Sequence, residues 1–344
     1  MTGKEIITRA MKFEETPRLP VAVLDGYAWI LDSTGKSFQD LFDMKNGAQF
    51  ITDQFNLLQS DIVYSNGHVF NVVHRVLGGE VRFDGIGESV EITKHPFTEI
   101  TDFKNFNVAE IMEKSFESAE YQATIQQSKE LVELAGKDKI VSSVGYAPFS
   151  VAGMLVGVQD FMAALYDDEE ETLGLIDFAA DLVISNAEKF VASGVETVFV
   201  ADPVASGDLI SPSGYEKFAL PALKKVCAAF HSRGIPVLCH ICGSTEKRLQ
   251  PLLDSGIQAF SVDATDIEIA LGVARGHYTM MGNLSPFDVL MSKTAQEVRE
   301  IGNTLAKKAG NSGGYIMMPG CDLAPKTPLE NIQAMVAAAH HAFE

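Results

Sequence analysis

From about residue 139 onward this chain alternates short apolar runs with longer stretches of helical spacing, a rhythm that few architectures can satisfy. The apolar runs are Lys139–Val144, Glu196–Ala201, Ile235–His240, Ile257–Val262, Tyr278–Gly282 and Tyr315–Met318. Between them Glu169–Ser193, Tyr215–Arg233 and Ala295–Ala309 space their apolar residues three and four apart, as one face of a helix requires. Strands that stay apolar without alternating are buried on both faces, which parallel strands joined by helical crossovers achieve. Leu19–Leu24 and Asp61–Tyr64 read as two earlier strands, bringing the total to eight. Eight strands favour closure. The expected fold is therefore α/β, a (β/α)8 TIM barrel with an N-terminal helical extension. The segment from Phe70 to Ile92 fits that rhythm poorly. Its Gly78-Gly79 and Gly85-Ile86-Gly87 punctuate extended runs and predict a hairpin excursion. No linker or low-complexity stretch divides residues 1–344, so one barrel domain is expected.

Helix starts are marked by their capping residues. Thr327-Pro328-Leu329-Glu330 reads as an N-cap, a proline at the first helical position and a capping-box Glu. Ser285-Pro286 and Ser211-Pro212 carry the same signal less completely.

Lys and Arg number 27 against 46 Asp and Glu, a formal charge of −19. Such a surface repels phosphate backbones and anionic lipid, which sets aside nucleic acid and membrane as partners. No run approaches the roughly 18 apolar residues of a membrane helix, and Met1–Ala10 has no apolar signal core. The four cysteines, Cys227, Cys239, Cys242 and Cys321, do not make a disulfide scaffold in a chain of this length. A cytoplasmic protein with reduced thiols is expected.

The polar residues that end the strands carry the chemistry. Asp202 follows Val198–Ala201, Asp263 follows Phe260–Val262, and Asn283 follows Met280–Gly282. His240 and Cys242 finish another strand, and Cys321 finishes the last. In a barrel those ends form one rim, where the active site is built. Side chains two apart in a strand share a face, so His240 and Cys242 point the same way and Cys239 points into the core. One imidazole and two thiolates are soft ligands suited to zinc. Three protein ligands leave one tetrahedral position open, which separates a catalytic zinc from a structural one. Asp202 is the candidate catalytic group, either as partner to His240, steering an acceptor, or simply ordering its own loop. Tyr146, Asn283 and Asp263 are candidate substrate-binding residues, Asp263 being alternatively a loop carboxylate or a fourth zinc ligand.

Several blocks make the chain resemble the uroporphyrinogen decarboxylase superfamily, and within it the zinc-dependent methylcobamide:coenzyme M methyltransferases. They are Gly145-Tyr146-Ala147-Pro148-Phe149-Ser150, Asp202-Pro203-Val204-Ala205-Ser206 and Leu238-Cys239-His240-Ile241-Cys242-Gly243. Met281-Gly282-Asn283-Leu284-Ser285-Pro286 and Pro319-Gly320-Cys321-Asp322-Leu323-Ala324-Pro325 complete them. The resemblance implies a barrel enzyme that moves a methyl group between a corrinoid (methylcobamide) and a thiol-type acceptor such as coenzyme M, activated by Zn2+. The chain has no Asp-x-His-x-x-Gly cobalamin signature, so the corrinoid is expected on a separate corrinoid protein. Decarboxylases of the superfamily hold porphyrinogen carboxylates with N-terminal arginines, whereas Val23–Trp29 here contains none. A decarboxylase or lyase acting on a smaller acid stays an alternative, as does a non-catalytic corrinoid-protein binder with structural zinc.

Overall fold

The structure, a computed structural model, describes every residue except Met44, Asn66, His68, Val69 and residues 84–89, together with the side chains of Asp43 and Phe83. Nine strands are assigned among the described residues: β1 Ile62–Tyr64, β2 Glu80–Phe83, β3 Val90–Lys94, β4 Ile140–Tyr146, β5 Thr197–Ala201, β6 Val237–Ile241, β7 Ala259–Val262, β8 Thr279–Leu284 and β9 Tyr315–Pro319. Seven of them form a single parallel sheet in the order β1-β4-β5-β6-β7-β8-β9. Each neighbour is the next strand of that sheet along the chain, and helices lie between, as βαβ crossovers demand. The strands are buried almost throughout, which explains why their sequences do not alternate.

The eighth expected strand, Leu19–Leu24, is irregular. It makes one parallel bridge, Val21 with Met317, rather than a ladder. It still touches both edges of the sheet. Ala22 N–H donates to Met317 O at 3.0 Å on β9, and Asp61 N–H, just before β1, donates to Val21 O at 2.7 Å. Arg18 and Asp61 form a two-pronged ion pair beside it, with N···O distances of 2.8 and 2.7 Å. Pro20 explains part of the irregularity, since it has no N–H to give to a ladder.

Helices Gly3–Met11, Tyr27–Thr34 and Gly47–Leu57 supply the expected N-terminal extension. The hairpin excursion is present as the antiparallel pair β2–β3, though its connection, including Gly85-Ile86-Gly87, lies outside the described residues. Phe70–Val76 is a helix, so only the second half of that segment is extended. The helices Glu169–Ala192 and Ala295–Ala309 match their predicted spans. Ser285 and Ser211 cap as expected, accepting from Asp288 N–H and Gly214 N–H at 3.1 Å each. The cap at Thr327 does not form. Its hydroxyl donates instead to Ala324 O at 2.7 Å, and the helix Leu329–His340 begins one residue later with Pro328 in the cap position.

One hydrophobic core runs from Ile7 to Ala339. Within it Tyr64 on β1 and Phe199 on β5 meet edge to face at 5.5 Å. Arg248, 1% exposed, is a charged side chain buried in this interior. Its guanidinium lies 4.8 Å over the Tyr215 ring and donates to the carbonyls of Ala205, Ser206 and Ile210. Those bonds anchor the loop after β5, which carries Pro203 to the wall of the site.

Candidate metal centre and its cavity

The strand ends converge as the sequence predicts. His240 is the fourth residue of β6, Cys242 follows that strand directly, and Cys321 lies just past β9. The His240 nitrogen and the two sulfurs all lie within 4.8 Å of one another. His240 Nε2 is 3.2 Å from Cys242 Sγ, and the two sulfurs are 3.8 Å apart. Zinc–sulfur bonds of about 2.3 Å at a tetrahedral angle place two thiolates roughly 3.8 Å apart, so the two sulfurs have the spacing that a shared zinc ion needs. Among the described residues no fourth His, Cys, Asp or Glu joins the group.

Protonation follows the same geometry. Hydrogen bonds from Cys242, then from His240, hold the Cys321 thiol down at about 4 despite its burial. Cys242 is pushed far up, first by the bond it makes to Cys321 and then by burial. Two adjacent sulfurs thus give up one proton easily and hold the other until a cation arrives, as a metal-binding pair should. On the far side of the ring His240 Nδ1 meets Ser261 Oγ at 2.9 Å. Residues 240 and 261 are aligned on the neighbouring strands β6 and β7, and Ser261 is fully buried. Were Nε2 to bind a cation, Nδ1 would carry the proton and donate to Ser261. Such an outer partner fixes the ring and tunes its basicity. Ser261→Ala is expected to weaken metal binding about tenfold, read by competition with a chromophoric chelator; unchanged affinity would remove Ser261 from the site.

The ligands open on a cavity of about 250 Å³ that also has Leu24, Asp25, Val144, Tyr146, Pro203 and Asp322 in its wall. Tyr146, at the end of β4, is 38% exposed at the mouth. Burial of its hydroxyl, with the charges of Asp25, Cys242 and Asp322, raises its pKa.

The other expected site residues are placed differently. Asp202 is buried, and its Oδ1 accepts from the Ser150 N–H at 2.9 Å and the Ser150 hydroxyl at 2.6 Å. Ser150 Oγ in turn accepts from Val204 N–H at 3.0 Å. The carboxylate therefore joins the end of β5 to the first turn of the helix Pro148–Val156, and the partner of His240 is Ser261 instead. Burial raises Asp202 to about 6, against the lowering effect of the Ser150 bonds. Asp263 accepts from Gly243 N–H at 2.9 Å and so orders the loop behind Cys242. Asn283 donates through Nδ2 to the carbonyls of Asp263 at 2.9 Å and Thr265 at 2.7 Å. Neither is in the cavity wall. Cys239 faces the core, where burial pushes its thiol well up, and Cys227 is likewise buried.

Sequence reasoning missed three residues. Ser261 is a hydroxyl inside an apolar strand, a visible signal. Asp322 directly follows a metal ligand. Asp25 sits in the Val23–Trp29 stretch, where the lack of arginine is more conspicuous than the acid it holds.

The sequence profile of the uroporphyrinogen decarboxylase (URO-D) family matches residues 2–342. The chain belongs to the uroporphyrinogen decarboxylase family. Within that family its relatives include a methylcobamide:CoM methyltransferase of Methanosarcina mazei, 30% identical over 265 residues, which cover 77% of this chain and 75% of the relative. A uroporphyrinogen decarboxylase of Carboxydothermus hydrogenoformans is 28% identical over 220 residues, 60% of each chain. Among solved structures, a methyltransferase from Methanosarcina mazei superposes with a TM-score of 0.87 at 23% identity, covering all of both chains. A B12-independent methionine synthase from Shewanella reaches 0.59 at 13% identity, over 94% of this chain and 95% of that one. These two likenesses show the fold. No single helix among the described residues is long and apolar enough to cross a membrane.

Proposed function

We propose that this chain is a zinc-dependent methyltransferase that moves a methyl group between methylcobamide, carried by a separate corrinoid protein, and a small thiol acceptor. The observation that carries this reading is the set of one imidazole and two thiols, spaced for zinc, with its free side on a cavity. The methylcobamide:CoM methyltransferases among its relatives support the same chemistry. We also read Leu19–Leu24 as the eighth stave that closes a (β/α)8 barrel, and residues 1–344 as one domain. Thiols that hold metal need reducing surroundings, which favours the cytoplasm.

His240, Cys242 and Cys321 would hold the zinc, and Ser261 would orient His240. A bound zinc supplies Lewis acidity that keeps an acceptor thiol ionised at neutral pH. The two cysteine thiolates donate enough charge that a third sulfur stays nucleophilic. In transfer to the thiol, the acceptor sulfur gives an electron pair to the methyl carbon. The cobalt–carbon bond breaks with its pair left on cobalt, and the thiol proton goes to solvent. Asp202 is a positioning residue in this scheme, tying the helix Pro148–Val156 to β5. Tyr146 would shape the mouth where the corrinoid enters, while Asp263 and Asn283 would keep the adjoining loops in place.

The test is demethylation of methylcobalamin by a panel of thiols and reduced folates, with and without chelator. Thiol-dependent loss of the methylcobalamin spectrum, stopped by chelation and restored by zinc, is expected. Full activity in metal-free protein would sink the reading.

A further inference from the structure

Two carboxylates in the cavity wall, Asp25 and Asp322, have no part in the scheme above. Asp322 Oδ1 accepts from Gly26 N–H at 3.0 Å and from Leu323 N–H at 2.8 Å. It thereby ties the loop after β9 to the turn that carries Asp25. That turn is built at a cost. Asp25 takes a left-handed backbone with φ of 51°, beside Gly26 at 79°. Side-chain-bearing residues reach that region only at about 1–2 kcal/mol, although Asp tolerates it better than most. The conformation sets the Asp25 side chain in the wall, where Oδ1 is closed to solvent and receives no hydrogen bond among the described residues. A buried acceptor without a donor is a destabilising feature, and at a strained backbone position it points to use.

The surroundings decide what kind of donor is wanting. The described wall contains no Lys or Arg, and every Lys and Arg of the chain lies among the described residues. An anionic group beside the metal would meet two acidic side chains and no Lys or Arg, leaving the metal ion alone to offset it. Burial pushes both acids up, Asp25 to about 7, and a neighbouring cation favours their ionised form. A protonated amine would satisfy Asp25 with charge-assisted hydrogen bonds, stronger than neutral ones. The cavity of about 250 Å³ suits an acceptor of a few heavy atoms.

We propose that Asp25 and Asp322 select the methyl acceptor by charge, favouring a small thiol that carries a protonated amine and disfavouring one that carries an anion such as a sulfonate. This rests on the thiol methyltransferase reading and sharpens it. It also separates the chain from relatives named for CoM, a thiol with a sulfonate.

Three thiols of one length test it: 2-aminoethanethiol, 2-mercaptoethanol and 2-mercaptoethanesulfonate differ only in the terminal group. Binding to the metal-loaded protein is measured by calorimetry without corrinoid, and methyl transfer from methylcobalamin is followed separately. The amine is expected to bind at least about tenfold tighter than the sulfonate, with the neutral thiol between. Asp25→Asn and Asp322→Asn are expected to compress that ranking, mainly by improving the sulfonate. A sulfonate that binds as tightly as the amine, while all three thiols react, overturns charge selection and leaves the thiol reading intact. If none of the three binds or accepts methyl, the thiol reading fails and takes this proposal with it. Because the ranking is read on wild-type protein, a variant that does not fold leaves the test whole.

Discussion

Cys321→Ala protein is expected to purify with far less than one metal ion per chain and to lose methyl transfer by about a thousandfold or more. The size follows from what a bound cation contributes: several kcal/mol of charge stabilisation, and about 4 kcal/mol is a thousandfold in rate. Cys321 is the thiol held low, chiefly by its hydrogen bond with Cys242, and so offers a cation the more readily ionised sulfur. Its loss leaves one imidazole and one buried thiol, fewer protein ligands than a zinc site uses. The fold itself should survive, since the side chain lies at the edge of the cavity and not in the central core. Cys239→Ala is the matched control: its thiol faces the opposite side of β6, so the metal should stay. Metal analysis and the methylcobalamin assay on both variants decide the matter. Wild-type metal content and rate in Cys321→Ala protein would end the assignment of that ligand.

The metal ligands were legible in the sequence because strand periodicity is strict. Two residues apart means one face, and a polar residue ending an apolar run means the rim. The parallel sheet was legible for a related reason, since strands buried on both faces leave runs without alternation. Leu19–Leu24 shows where that logic weakens. Its composition is that of a strand, yet proline and tight ties to both edges leave a single bridge. The Thr327 cap misled because local pattern does not reveal which backbone group a hydroxyl meets first, here Ala324 O. Ser261 and Asp25 depend on register between strands and on a left-handed turn, neither of which is written in spacing along one segment. Asp202 was legible as important but not for its partner, because the helix that meets it begins more than fifty residues earlier.

At neutral pH the Asp202 carboxylate should cost the fold stability, and Asp202→Asn should recover it. Burial lifts this group from an ordinary 3.8 to about 6, so the folded chain binds its proton more tightly than the unfolded chain does. Its stabilising contribution is therefore fully present below about pH 4 and lost as pH climbs through 6. Two units correspond to about 2–3 kcal/mol at 1.36 kcal/mol each. An asparagine cannot titrate, yet its carbonyl oxygen can still accept from the Ser150 N–H and hydroxyl. The difference in unfolding free energy between variant and wild type should thus grow in favour of Asp202→Asn by about 2–3 kcal/mol between pH 4 and pH 7, read by urea denaturation. Asp202→Ala removes the acceptor altogether and should be destabilised at both pH values by about 1–3 kcal/mol, with Ser150 left unsatisfied. Methyl transfer separates positioning from proton exchange. A residue that only ties the helix Pro148–Val156 to β5 tolerates the amide, so Asp202→Asn should stay within about tenfold of the wild-type rate while alanine falls further. A dead but well-folded Asp202→Asn protein would instead return Asp202 to the reacting groups.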